Sequence, residues 1–256
     1  MKEKDPYDTS PLKVVLLQEL QRYNSLLSVV SRSLVSLARG IKGLALISPE
    51  LEEVMDSLFY NQVPQQWLFA YQSLKSLSEW VKDLNERYNF FVDWAYKQLP
   101  SVFWISAFTY PTGFTTGLLQ KTSRRIGESI DNLHIDYIFT NNMDGKITEH
   151  AKEGAYVRGL FLEGARWNTD KNCLMENEVM SLECKLPVIQ FKPVAKPKKA
   201  YGGDLKKYPC PCYYYPVRAG FIDRASFMFS IDMKTGDHPV EFWIKRGTAV
   251  LMSLSE

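Results

Sequence analysis

From Leu12 to Leu44, apolar residues return every three or four positions: Leu12, Leu16, Leu20, Tyr23, Leu27, Val30, Leu34, Leu37, Ile41 and Leu44. That spacing predicts a single amphipathic helix. Ser10-Pro11 supplies its start, a hydroxyl N-cap followed by a proline at the first helical position. At 1.5 Å per residue such a helix is about 45 to 50 Å long, with Gly40 and Gly43 placed to bend or end it. A small bundle needs less than this, so part of the stripe is expected to pack on something outside the chain. Ser48-Pro49 repeats the start signal, and Glu50, Glu52 and Glu53 oppose the positive end of the helix dipole. Leu51, Val54, Met55, Leu58 and Phe59 form the apolar face of this second helix, which the Asn61-Gln-Val-Pro64 break terminates. Gln65 to Tyr71 reads as a short aromatic helix or turn. A third long helix follows from about Leu74 to Gln98, with Leu77, Trp80, Val81, Leu84, Tyr88, Phe91 and Ala95 on one face and Lys75, Glu79, Lys82 and Glu86 off it.

The pattern then changes. Leu99 to Gln120 is densely apolar, with Val102, Phe103, Trp104, Ile105, Phe108, Tyr110 and Phe114, and it must be buried. Its prolines and glycines predict two short helical pieces with a bend at Pro111, after which Lys121 to Ile130 completes the last helix. Leu133, Ile135, Tyr137 and Phe139 alternate with polar neighbours, a strand pattern. The segment Tyr156-Val-Arg-Gly-Leu-Phe-Leu-Glu-Gly-Ala-Arg-Trp167 carries two glycines that suggest sharp bending of a barrel-like strand. Further strands are predicted at Leu186 to Val194, Tyr208 to Val217, Ala225 to Met233 and Thr248 to Leu254, with a short helix at Pro239 to Trp243. The expected class is α+β: an N-terminal helical bundle with a long first helix over residues 1–130, then a roughly six-stranded β-barrel over 131–256.

Charge and chemistry narrow the function. Thirty-one basic against 29 acidic residues leave a formal +2, which gives no argument for nucleic-acid binding. No run of about 18 apolar residues predicts a membrane span, and Met1 to Pro6 lacks the apolar core of a secretory signal. Four cysteines, Cys173, Cys184, Cys210 and Cys212, suit reduced thiols better than a disulfide framework. Their spacing argues against zinc, since no C-x-x-C occurs, and Cys210 and Cys212 are expected to pack from one face of a strand. His134, His150 and His238 sit in polar or turn-like contexts with no Gly-x-Ser-x-Gly elbow, and no Gly-x-x-x-x-Gly-Lys phosphate loop exists. Catalytic, cofactor-binding and metal-ligating residues are therefore all expected to be absent. One basic cluster, Lys196, Lys198, Lys199, Lys206 and Lys207 with Tyr201 and Tyr208, could dock an acidic protein surface.

Several ordered motifs carry a resemblance. Leu99-Pro-x-Val-Phe-Trp-Ile-Ser-x-Phe108, Pro111-x-Gly-Phe-x-Thr-Gly, Gly159-Leu-Phe-Leu-Glu-Gly-Ala-Arg-Trp167, Leu186-Pro-Val188 and Phe242-Trp-Ile-Lys-Arg-Gly-Thr-Ala-Val-Leu251 resemble the C-terminal domain of dynein heavy chains, in an axonemal form. Leu12 to Asn24, Arg39 to Glu53, Val63-Pro64 with Trp67, and Leu77 to Asp83 extend the likeness over nearly the whole chain. At Cys210-Pro-Cys-Tyr-Tyr-Tyr215 the sequence departs from the Cys-Pro-Val/Leu-Tyr common in that family. The resemblance implies a helical subdomain and a β-barrel packed beneath the AAA+ ring of the same heavy chain. It also implies no catalytic residue or cofactor of its own, an influence on motor ATPase, force and processivity, and residence in the ciliary or flagellar axoneme. A stand-alone scaffold or adaptor, and far behind it a zinc or thiol enzyme built on Cys210 and Cys212, are the rival classes.

Overall fold

A computed structural model of the chain describes residues 10–69, 71, 73, 75–143, 146–196, 206–214, 217–218, 221–222 and 226–252. Two compact units emerge. Of the described residues, those within 16–98 together with 217–218 and 221–222 make up the first, and 10–15, those within 99–214 and 226–252 the second.

The first unit is mainly helical, with α1 (Pro11–Ile41) from Leu16 onward, α2 (Pro49–Phe59) and α3 (Leu77–Tyr96). Proline at the first position opens α2, as the sequence predicts. The end of α1 is a two-bond glycine cap: Gly43, at φ 70, donates to the Gly40 carbonyl at 2.8 Å and Leu44 donates to that of Arg39 at 2.9 Å. The buried face of α1 differs from the predicted stripe. Leu12, Val15, Leu16, Glu19, Tyr23, Leu26, Ser33 and Leu37 are buried, whereas Leu27, Leu34 and Ile41 are exposed. At about 100° per residue, Leu20, Leu27, Leu34 and Ile41 lie about 40° round the helix from Leu16, Tyr23 and Leu37 and about 80° from Leu12, Glu19, Leu26 and Ser33, so this series falls on the flank of the buried face. On α3 the buried line is Trp80, Asp83, Leu84, Arg87, Phe91 and Trp94. Val81 and Tyr88, expected inside, face out.

In the second unit β1 (Val102–Trp104) leads into a one-turn 3₁₀ helix and then α4 (Pro111–Ile126). Residues 102–108 and Phe114 are buried, as the sequence requires, whereas Leu99 and Tyr110, expected inside with them, are exposed. The first piece is nonetheless a strand and not the predicted helix, because Val102-Phe103-Trp104 fits a pleated surface and pairs in parallel with Tyr156-Val157-Arg158. Pro111 starts α4 and does not bend it, and Gly127, at φ 74, ends it.

The remaining strands are β2 (Leu133–Phe139), β3 (Ala155–Arg158), β4 (Leu160–Glu163), β5 (Arg166–Asn168), β6 (Cys173–Met175), β7 (Glu183–Lys185), β8 (Ile189–Ala195), β9 (Lys207–Tyr214), β10 (Val217–Arg218), β11 (Phe221–Ile222), β12 (Ser226–Lys234) and β13 (Ala249–Met252). The helix α5 (Val240–Lys245) precedes the last of them. They form a four-stranded sheet in the order β1-β3-β8-β2, a five-stranded sheet in the order β12-β9-β13-β4-β7, and the two hairpins β5-β6 and β10-β11. No closed barrel forms among the described residues, so the roughly six-stranded barrel expected from the sequence is not found. The physical reason lies at Gly159, φ 89, and Gly164, φ 73, which divide one run of residues into β3, β4 and β5 and send each piece to a different sheet.

Proline in β9 is tolerated for a related reason. Thr235 N–H donates to the Lys206 carbonyl, which fixes the bonded pairs of the β9-β12 ladder at Met233–Tyr208, Ile231–Cys210 and Phe229–Cys212. Pro209 and Pro211 fall at the alternate positions, where a missing N–H costs that ladder nothing. Among the described residues, no helix is long and apolar enough to cross a membrane.

Candidate docking surface

The sequence predicts that α1 presents apolar side chains beyond what its own unit needs, and the structure places them. Val14, Leu17, Leu27, Leu34, Val35 and Ile41 are exposed along α1, with Leu17 63% and Ile41 66% accessible. Leu44 and Leu46 follow just beyond its cap and are more exposed still. Isolated surface leucines are ordinary, whereas six exposed apolar side chains along 31 helical residues make this helix the candidate docking surface.

What holds this helix in its unit was not legible as chemistry in the sequence. Asp83 and Arg87, each with a side chain only 2% exposed, pair at 2.7 Å between Oδ2 and Nε, and Lys75 Nζ reaches the other Asp83 oxygen at 3.2 Å. The Arg87 guanidinium lies 4.5 Å above the centre of the Tyr71 ring. Tyr71 and Trp67 both stack on Trp80, and Trp67 Nε1 donates to Ser33 Oγ of α1 at 3.0 Å. Tyr23 of α1 packs on Phe91, and burial, partly offset by the charge of Arg87, holds its phenol well above the ordinary range. Glu19, buried on α1, takes a 2.8 Å ion pair from Arg22. An i, i+4 spacing of opposite charges at 83 and 87 was the one available signal. It was masked because such pairs usually lie on the solvent face.

The residues with candidate chemistry do not converge. Cys210 and Cys212 lie on one buried face of β9, as expected, and Cys173 is buried on β6. All four thiols are free. Burial pushes the Cys210 thiol up to about 12, and burial again raises that of Cys212. Neutral thiols at these positions are poor nucleophiles and poor metal ligands. His134 Nε2 sits 3.0 Å from Asp136, and His238 Nε2 sits 2.9 Å from Glu176 at the surface. Among the described residues no three His, Cys, Asp or Glu side chains gather as a metal would require. Of the basic cluster, Lys196 donates to the Asp131 carbonyl at 2.7 Å, while Lys198, Lys199 and Tyr201 lie outside the described residues.

The buried thiols give a pH dependence with a definite sign. Cys210 moves from an ordinary value of 9.0 to about 12 in the folded chain. Its contribution to stability is fully present below the unfolded value, then lost as pH climbs from there to the folded one, because the unfolded state releases the proton first. Melting temperature is expected to hold level from pH 7 to about 8.5 and to fall above pH 9. Cys210→Ala should flatten that fall, and an unchanged slope in the variant would show that the thiol is not its source.

Long helix, mixed sheets and outward apolar side chains define an α+β protein with no gathered catalytic or metal-binding group among the described residues. The protein belongs to the family of C-terminal domains of dynein heavy chains, whose model matches residues 1–252. It is 47% identical over 248 residues to dynein axonemal heavy chain 2 of Homo sapiens, covering 96% of this chain and 6% of that protein. To the dynein-1-beta heavy chain of the flagellar inner arm I1 complex of Chlamydomonas reinhardtii it is 44% identical, covering 97% of this chain and 5% of the relative. Dynein axonemal heavy chain 1 of Rattus norvegicus shares 38% identity over 95% of this chain and 5% of its own length. The 256 residues therefore span only a small part of the curated relatives they match.

Proposed function

We propose that this chain is the non-catalytic C-terminal region of an axonemal dynein heavy chain, and that it packs on the AAA+ ring of that heavy chain to modulate ATPase, force and processivity in ciliary or flagellar movement. The division along the sequence follows the same reading, with a helical part over residues 1–130 that supplies the docking helix and a strand-rich part over 131–256. One observation carries the proposal: α1 keeps Val14, Leu17, Leu27, Leu34, Val35 and Ile41 exposed while Tyr23, Leu26 and Leu37 on the same helix are buried. The axonemal assignment is supported by the relatives, which are axonemal and flagellar dynein heavy chains. ATP-driven movement along microtubules then belongs to the longer parent polypeptide.

The test separates docking from internal packing. Leu17→Ser and Ile41→Ser remove exposed apolar surface, so each should shift stability by no more than about 0.5 kcal/mol. In a complete motor the same changes should alter ATPase or stepping at least twofold. A lowered melting temperature, or motor output identical to the unaltered protein, would remove α1 as the docking face.

A further inference from the structure

The turn between β6 and β7 carries three of the most exposed apolar side chains among the described residues: Val179 at 95%, Met180 at 97% and Leu182 at 81%. They are held out by an ordered turn. Asn177 Nδ2 donates to the carbonyls of both Ser181 and Leu182, Ser181 N–H donates to the Glu178 carbonyl, and Ser181 Oγ donates to that of Glu183. Arg166 anchors Glu178 at 2.6 Å, and Glu176, one residue before Asn177, is bound by both His238 and Arg246 at 2.9 Å. Met180 accepts a left-handed φ of 70 to complete the turn, a conformation that a side-chain-bearing residue adopts at some cost.

Beside this apolar tip stand two exposed carboxylates. Gly164 N–H donates to the Leu182 carbonyl and Leu186 N–H to that of Leu160, which makes Glu163 and Glu183 a directly opposed, non-bonded pair of the β4-β7 ladder. That is the pairing in which side chains come closest, so two like charges there repel. No ion pair reaches either carboxylate among the described residues. An apolar tip and two opposed carboxylates outside any ion pair among the described residues are complementary to one kind of surface, an apolar socket bordered by a lysine or arginine.

We infer that the Val179–Leu182 turn is a second docking point, which inserts into such a socket on another part of the same heavy chain while Glu163 and Glu183 take its basic neighbour. The occupant is assigned to the same polypeptide because this domain covers only 5 to 6% of the relatives it matches, so the rest of the heavy chain is present at high effective concentration. The inference rests on the packing role proposed above.

The experiment places a photo-crosslinking amino acid at Met180 of the complete heavy chain, and in a parallel preparation at Leu17 of α1. Illumination should join position 180 to a single segment of the same polypeptide that holds apolar residues and a lysine or arginine. The double change Glu163→Lys and Glu183→Lys should lower that yield at least fivefold. A product at Leu17 with none at Met180 overturns this inference and leaves the packing role standing, and no product at either position overturns both. A Met180 product with a second copy or a separate protein, or a yield indifferent to the charge reversal, also overturns it.

Discussion

Asp83→Ala should cost the helical unit about 3 to 5 kcal/mol. The aspartate pairs with Arg87 at 2.7 Å and with Lys75 at 3.2 Å, and both it and Arg87 are closed to solvent. Removing it takes from two buried cations the carboxylate they share, beside the Tyr71 ring that Arg87 covers. A total stability of about 5 to 15 kcal/mol is usual for a domain, so this single change could remove a third or more of it. The charge, and not the packing volume, is responsible if Asp83→Asn is nearly as damaging and if Asp83→Leu combined with Arg87→Met and Lys75→Met recovers most of the loss. Urea unfolding followed by tryptophan fluorescence measures this, since Trp67 and Trp80 sit beside the network. A loss below about 1 kcal/mol for Asp83→Ala would mean that the buried pair does not organise the unit.

Gly154→Ala should be at least as severe, on the order of 4 kcal/mol or more. The backbone there is at φ 73, and a Cβ would come within 1.8 Å of the Phe191 carbonyl oxygen and 3.0 Å of the Lys192 Cα. Neither is the movable end of a side chain. Phe191 sits in β8 between β2 and β3, so relief requires prising apart the centre of the four-stranded sheet. Gly127→Ala is the fitting comparison: its φ is 74 but nothing lies within 4 Å of its added Cβ, so it should cost only the backbone term, about 1 to 2 kcal/mol. Equal losses at the two positions would show that conformation, and not close approach, sets the cost.

The elements most readable in the sequence were those whose physics is local. Proline after serine opens α1 and α2 where expected, and alternating apolar residues mark β2 from Leu133 to Phe139. What failed depended on partners distant in sequence. Val102-Phe103-Trp104 is a strand because Tyr156 to Arg158 lies alongside, a pairing that no local period announces. Asp83 and Arg87 look like a solvent-face pair until Lys75, Tyr71 and Trp80 enclose them. The outward face of α1 was anticipated from helix length, yet the division of its leucines between inside and outside needed the structure, because both series repeat at spacings one helix can accommodate. Cys210 and Cys212 were legible as packing residues through their i, i+2 spacing on a strand.

Gly154, Gly159 and Gly164 fall five residues apart, and the intervals between them hold four residues each. Inward side chains run Ala155 and Val157, then Leu160 and Leu162, then Ala165 and Trp167, so the parity of the buried positions reverses at Gly159 and again at Gly164. Each of these two glycines acts as a phase shifter in an otherwise two-beat pattern. Gaining or losing one residue within an interval would turn its remaining apolar side chains outward without disturbing the beat of its neighbours. Along residues 154–167 the gene is consequently free to vary spelling far more readily than length.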